Sequence, residues 1–404
     1  MIGGQRRHSG GLMRTLMLGS SALASTGLAI CAAQAADGVT LTIGGRYMAA
    51  PGGLLHEDFA HPFFDEGDLR NYVFKQDVEV HFKGEATLDN GLVVGARIEL
   101  EGGTSADQID EVFAYFRSAR FGEIRFGDTL EALSQLCYLV PSASGELFGA
   151  DSPFFNFSNA GIAGYAATNA TCLGIDDKVT KLVYFTQPFT GFTFALSFAP
   201  DDTQDTRNTV DGAGTRFRND LGQNSENLSV AVNYQLDIDG VSVIVGGGAT
   251  RSFDREATFP FFDLDGDRQF DLGEPPCDAK VDERESYRGH VVLEYAGFTV
   301  GGAVAYRVNS NACFDGADGL VYGAGGTYAW DAWSIGLGWT HGEYDIGLSP
   351  VADEHDIVAF TAEYDLAPGI TVDAVVEYSN YDSGILPSFD YEGLAVGIGT
   401  LIIF

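Results

Sequence analysis

Alternation of apolar and polar residues, repeated along most of the chain, constrains this sequence more than any other feature. In the stretch from Lys75 to Leu88, one face carries Gln76, Val78, Val80, Phe82, Ala86 and Leu88, and the other Lys75, Asp77, Glu79, His81, Lys83 and Glu85. A period of two belongs to a β-strand, because successive side chains point to opposite faces. Asp89-Asn90-Gly91 follows as a hairpin turn, since Asn-Gly accepts the positive φ that such turns need. Leu92, Val94, Ala96, Ile98 and Leu100 then alternate against Val93, Arg97, Glu99 and Glu101. One face is wholly apolar, and the other carries charges of both signs.

The same grammar predicts sixteen strands, near 39–48, 71–88, 92–102, 109–117, 122–128, 178–187, 191–199, 226–236, 240–251, 286–296, 298–307, 320–330, 333–342, 355–366, 369–379 and 390–404. Connections alternate between tight turns, as at Asp237-Ile238-Asp239-Gly240, and long segments such as 129–177, 200–225 and 252–285. An even strand number with short turns at one end and long loops at the other describes an all-β fold, a 16-stranded antiparallel transmembrane β-barrel. Aromatics near strand ends, among them Tyr295, Tyr328, Trp330, Trp333 and Tyr364, fit the interfacial girdles of such barrels. Glycine, 52 of 404 residues, suits twisted strands and tight turns better than packed helices.

Charge and targeting narrow the class further. Lys and Arg total 23 against 57 Asp and Glu, a formal net charge of −34, so no nucleic-acid partner is expected and cations are favoured. Arg6, Arg7 and Arg14 precede an apolar run ending in Ala33-Gln34-Ala35, the pattern of a secretory signal peptide over residues 1–35 with cleavage before Ala36. Met13-Arg14 offers a second start, and Ile30 before Cys31 argues against a lipoprotein signal. Residues 36–404 then form one barrel domain, and no apolar run in it approaches the ~20 residues of a transmembrane helix. Four cysteines remain in an oxidising compartment, and of the three pairings Cys137–Cys172 with Cys277–Cys313 is favoured. The chain ends on a strand whose larger face, Leu394, Val396, Ile398, Thr400, Ile402 and Phe404, suits contact with lipid.

Several segments carry a family resemblance. Residues 120–128, from Arg120-Phe121-Gly122 to Phe126-Gly127-Asp128, resemble the strand before the constriction loop of Gram-negative general porins. Residues 181–192, including Gln187-Pro188-Phe189, resemble the strand-turn-strand after that loop, and Phe404 is similar to the family's outer-membrane assembly signal. By strand layout the whole mature chain resembles the trimeric porins of the Rhodobacter-like, alphaproteobacterial kind. The resemblance implies a homotrimer in the outer membrane, in contact with lipid and lipopolysaccharide, delivered by the outer-membrane assembly machinery. It also implies passive diffusion of small hydrophilic solutes and ions, with residues 129–177 folded inward as the constriction loop.

Within that loop Gly145-Glu146-Leu147-Phe148-Gly149-Ala150-Asp151 is similar to the acidic turn of enterobacterial porins. The resemblance makes Glu146 and Asp151, with Glu131 behind them, the expected pore-narrowing carboxylates. A Cys137–Cys172 bridge, absent from enterobacterial porins, would hold the loop in one shape. Porin constrictions set cations opposite these acids. Period two puts Arg46, Lys75, Lys83, Arg97, Arg125, Arg288 and Arg307 on inward, polar faces. The inward acids Asp77, Glu79, Glu85, Glu99, Glu294, Glu363, Asp373 and Glu377 outnumber them, so weak cation selectivity is expected.

The sharpest local motif spans residues 263–274. Asp263, Asp265, Asp267, the Gln269 carbonyl, Asp271 and Glu274 have the spacing of an EF-hand-like Ca2+ loop, with Arg268 where the turn prefers glycine. No cofactor is required for the expected function, and Ca2+ is the one ion the sequence suggests. No nucleophile or metalloprotease motif appears, so an enzyme is not expected. Two alternatives stay open: a substrate-specific outer-membrane channel, for which Phe113 and Tyr115 supply inward aromatics, and a surface-exposed binding or adhesion barrel.

Overall fold

The computed structural model describes residues 33–34, 38–59, 70–103, 108–151, 153–160, 169–172, 174–176, 178–201, 224–255, 283–308, 318–345, 351–384 and 390–404. Most of the leader, the 263–274 motif and the Cys277–Cys313 pair lie outside these residues. Among the described residues sixteen strands form the barrel. They are β1 Thr40–Phe59, β2 Tyr72–Thr87, β3 Val93–Glu101, β4 Ile109–Ser118, β5 Gly122–Thr129 and β6 Val179–Phe185. Next come β7 Phe192–Asp201, β8 Asn224–Ile238, β9 Val241–Arg255, β10 Glu285–Tyr295 and β11 Phe298–Val308. The last are β12 Gly319–Trp330, β13 Trp333–Tyr344, β14 Asp353–Ala367, β15 Ile370–Asp382 and β16 Tyr391–Ile403. A two-residue piece, Ala33–Gln34, adds to β1 through Leu41 and Thr40.

Each strand pairs antiparallel with the next, and β16 returns to pair with β1, with Ile402 opposite Tyr47 and Gly397 opposite Gly52. Closure satisfies every edge, which a bilayer demands because lipid offers no hydrogen bonds. The seam extends past the last strand: Phe404 N donates to Gly45 O at 3.1 Å, and Gly45 N donates to Phe404 O at 2.8 Å. All sixteen predicted strands are present. β1 runs eleven residues beyond its predicted end, because its outer half pairs with β16 as far as Phe59, with Gly52 and Gly53 paired to β2 as well.

The tight turns obey local chemistry. Asp239 and Gly240 both hold positive φ, 50° and 84°, as the two-residue hairpin turn requires. Outward faces are apolar: Phe126, Leu182, Phe194, Val300, Leu337, Phe360 and Ile398 are all exposed. In water so large an apolar surface marks a binding or membrane face. At the short-turn end the outer surface carries aromatic pairs, Phe298–Tyr328 with centroids 4.3 Å apart and Trp333–Tyr364 at 4.6 Å. No helix among the described residues is long and apolar enough to cross a membrane.

The largest buried apolar cluster is not between sheets. It joins Leu147, Phe148, Phe155 and Phe157 of the segment after β5 to Met48, Ala50, Ile357, Ala359, Val375 and Ala395 of the strands. The segment between β5 and β6 therefore lies inside the barrel, packed on its wall.

Candidate functional site: the inward loop

After β5 the chain makes one short helix, α1 Ala132–Gln135, and is fastened to the wall at once. Ala132 N donates to Ser197 Oγ of β7 at 2.9 Å, and Leu133 N donates to Ser229 Oγ of β8 at 3.0 Å. Farther along, Ala143 N donates to Thr361 Oγ1 of β14 at 3.0 Å, and Thr340 Oγ1 of β13 donates to Ala150 O at 2.7 Å. Asn159 N donates to the Tyr391 hydroxyl of β16 at 3.1 Å. A loop has few backbone bonds of its own, so wall hydroxyls take over this role. Sequence reasoning missed them; the available signal was a small polar residue amid apolar ones on inward faces, as at Ser197 and Ser229.

Close approach is made possible by small residues in the wall. A Cβ at Gly397 or Gly52 would overlap the Phe157 ring, and one at Gly325 would lie 2.8 Å from Val140 Cγ1. The loop's own shape is fixed by the expected disulfide, Cys137–Cys172, with Cα atoms 5.8 Å apart. Asp151 reinforces it, accepting from Val140 N at 3.0 Å and from Thr171 N at 2.9 Å.

The candidate acids thus separate by role. Glu146 is 39 % exposed and its Oε2 lies 3.3 Å from Arg46 NH1, on the open side of the loop. Asp151 and Glu131 are buried, at 5 % and 0 %, on the side facing the wall. Glu131 sits at the loop's entry, beside Asp176 at its exit. Lys181 Nζ is 3.6 Å from Asp176 Oδ2, and both are buried. Burial, and then the neighbouring Glu131 carboxyl, push Asp176 well above the ordinary carboxylate range. Burial, with Glu294 adding to it, likewise raises the Tyr138 hydroxyl.

The candidate bases divide too. Arg288 is buried and Arg307 half-buried behind the loop, where Arg307 donates to Ala170 O at 3.0 Å. Lys75 donates to Asn156 O and lies 5.6 Å from the Phe157 ring. The rest line one arc of the inner wall, each beside a carboxylate rather than across from one: Arg46 with Glu79, Lys83 with Glu85 at 3.0 Å, Arg97 with Glu99, and Arg125 with Glu123 at 2.6 Å. Aromatic faces back several of them. Arg46 lies 4.3 Å from the Phe154 ring, Arg117 5.5 Å from Tyr115, and Arg125 5.0 Å from Phe113. Of the expected bases, Arg46 meets the expected loop acid Glu146 at 3.3 Å, while Arg288 and Arg307 lie under the loop.

Comparison with solved structures finds the same architecture. Outer-membrane-expressed OmpT of Vibrio cholerae matches with a TM-score of 0.54 at 15 % identity, covering 92 % of this chain and 99 % of that one. The outer membrane channel DcaP of Acinetobacter baumannii matches at 0.56 and 12 %, covering 93 % and 100 %. Salmonella typhi OmpF in complex with daunomycin matches at 0.56 and 13 %, covering 92 % and 99 %. At these identities the likeness is one of fold. No curated protein sequence matches the chain. The family model for Gram-negative porins matches residues 19–384, and with a closed barrel and an inward loop already in view, the chain belongs to the Gram-negative porin family, whose members are channels and not enzymes.

Proposed function

We propose that this porin is a passive channel for small hydrophilic solutes and ions, weakly selective for cations, working as a homotrimer in the outer membrane. The observation that carries the reading is the bridged loop seated inside a closed barrel, with Glu146 and Arg46 part-exposed beside it and Lys83, Glu85 and Arg117 part-exposed farther along the same wall. Such a loop narrows the lumen without filling it, and the exposed charges select by sign and polarity. Excess inward carboxylate supports the cation preference. The leader over 1–35, the Phe404 assembly signal, contacts with lipopolysaccharide, and Ca2+ bound by residues 263–274 belong to the same proposal and rest on the sequence. An OmpT structure at 15 % identity is described as a trimer form, which supports the oligomer proposed here.

A second reading, a substrate-specific channel, is favoured by Arg46 stacked on the exposed ring of Phe154. Aromatic faces beside guanidinium groups attract a defined solute more than a bare polar wall does.

Single-channel recording in a planar bilayer under a salt gradient tests both. Large open steps grouped in threes, with a reversal potential on the cation side, are the expected result. A folded barrel that passes no current overturns the channel reading. Small currents blocked in a saturable way by one solute class replace diffusion with specific transport.

A further inference from the structure

Three metal-ligating side chains meet on the inner wall away from the loop's anchoring points. Glu79 and His81 stand two residues apart on β2, hence on one face, and Glu99 of β3 lies directly across from His81. One ligand atom from each falls within 4.8 Å of the other two. Two ligands at i and i+2 with a third from the next strand converge on a point above the sheet. A divalent ion held at about 2.1 Å by tetrahedral ligands needs them about 3.4 Å apart, so small side-chain rotations complete the site.

The surroundings favour a cation. Glu79 is directly opposite Glu101, and like charges directly opposite one another destabilise a sheet. Asp110 and Glu111 of β4 act on Glu99 as further negative neighbours. Glu99 is 3 % exposed and its Oε1 is held by Arg97 as an ion pair; the same Arg97 NH2 lies 3.3 Å from His81 Nδ1. Arg46, now on Glu79, has Asp77 at 3.8 Å and Glu146 at 3.3 Å to turn to. His81 is 26 % exposed, which opens the cluster to the lumen.

We propose that Glu79, His81 and Glu99 form a divalent transition-metal site in the channel wall, suited to Zn2+ by its one imidazole and two carboxylates. Binding exchanges the Arg46 and Arg97 contacts for metal–oxygen bonds; freeing His81 Nε2 from Glu79 as a lone pair places the ring proton on Nδ1, so Arg97, 3.3 Å from Nδ1, turns away from His81 as well as from Glu99. Mg2+ prefers all-oxygen octahedral sites and is not held here. The site adds positive charge next to Arg46 and Glu146, so occupancy lowers cation current.

The test is isothermal titration calorimetry of the folded, detergent-solubilised protein with ZnCl2, on wild type, His81→Ala and Glu99→Gln. Each variant is first shown to keep the heat-modifiable mobility of a closed barrel. Expected are one Zn2+ per chain in the wild type, at least tenfold weaker binding in both variants, and no heat with MgCl2. Wild-type protein that takes up no Zn2+, or variants that bind it as the wild type does, overturns the proposal. Calorimetry reads the site whether or not the barrel conducts, so its result stands apart from that of the bilayer recording.

Discussion

Glu146 and Arg46 are 100 positions apart in the chain, yet Oε2 of one lies 3.3 Å from NH1 of the other. This ion pair joins the Glu146 turn of the inward loop to the first strand of the barrel. Both groups are part-exposed, so the pair matters more for the field in the lumen than for holding the fold together.

Replacing Glu146 by Gln removes a lumen-facing negative charge and leaves Arg46 to Glu79 and Asp77. The reversal potential in a salt gradient shifts toward anions, while stability changes by less than about 1 kcal/mol, the usual worth of an exposed ion pair. Urea unfolding alongside bilayer recording checks both halves.

Cys137 and Cys172 close 35 positions of chain into a ring. Changing both to Ser costs the loop about 4 kcal/mol on the chain-entropy model for a ring of this size. The barrel itself persists, because its strands pair independently of the bridge. Current noise and mean conductance rise in the double variant, and reductant added to the wild type reproduces the change.

The seat of Phe157 allows a packing test. Gly397→Leu forces the ring away from the wall and costs about 1–3 kcal/mol as overpacking. Gly289→Ala is nearly neutral, since its new carbon meets nothing nearer than Val304 Cγ1 at 3.7 Å. Combining Gly397→Leu with Phe157→Ala recovers part of the loss, because the two groups compete for one volume. Thermal melting of the wild type, Gly397→Leu, Phe157→Ala and the double variant reads the coupling, with Gly289→Ala as the control.

Asp176 gives a pH dependence of known sign. Its carboxyl is raised in the folded protein, so its contribution is fully present below its unfolded value, about 3.9, and is lost as pH rises through the raised folded value. Stability of the loop therefore declines as pH climbs above the ordinary carboxylate range. Asp176→Asn flattens that decline. Limited proteolysis of the loop across pH, compared between the two proteins, is the measurement; identical profiles would refute the assignment.

Sixteen strands, their inward and outward faces and the tight turns were legible in the sequence, because a strand's period and a hairpin's φ requirements are local. The Cys137–Cys172 pairing was favoured on compartment and on the turn-rich stretch that holds both residues, and the resemblance of residues 120–128 and 181–192 to porins marked where an inward loop would start and finish. Local pattern could not say which side of that loop each acid would face. Glu146, Asp151 and Glu131 look alike as carboxylates in a loop, but one meets Arg46 in the lumen and two are buried against the wall. Arg288 and Arg307 likewise read as inward bases, and inward they are, beneath a cover contributed by residues more than a hundred positions away. The sequence by itself determined the barrel, since backbone pairing and the two-residue period follow from neighbouring residues. Tertiary structure alone decided which inward charges meet the lumen, because that depends on where a distant loop comes to rest on glycines and hydroxyls spread over many strands.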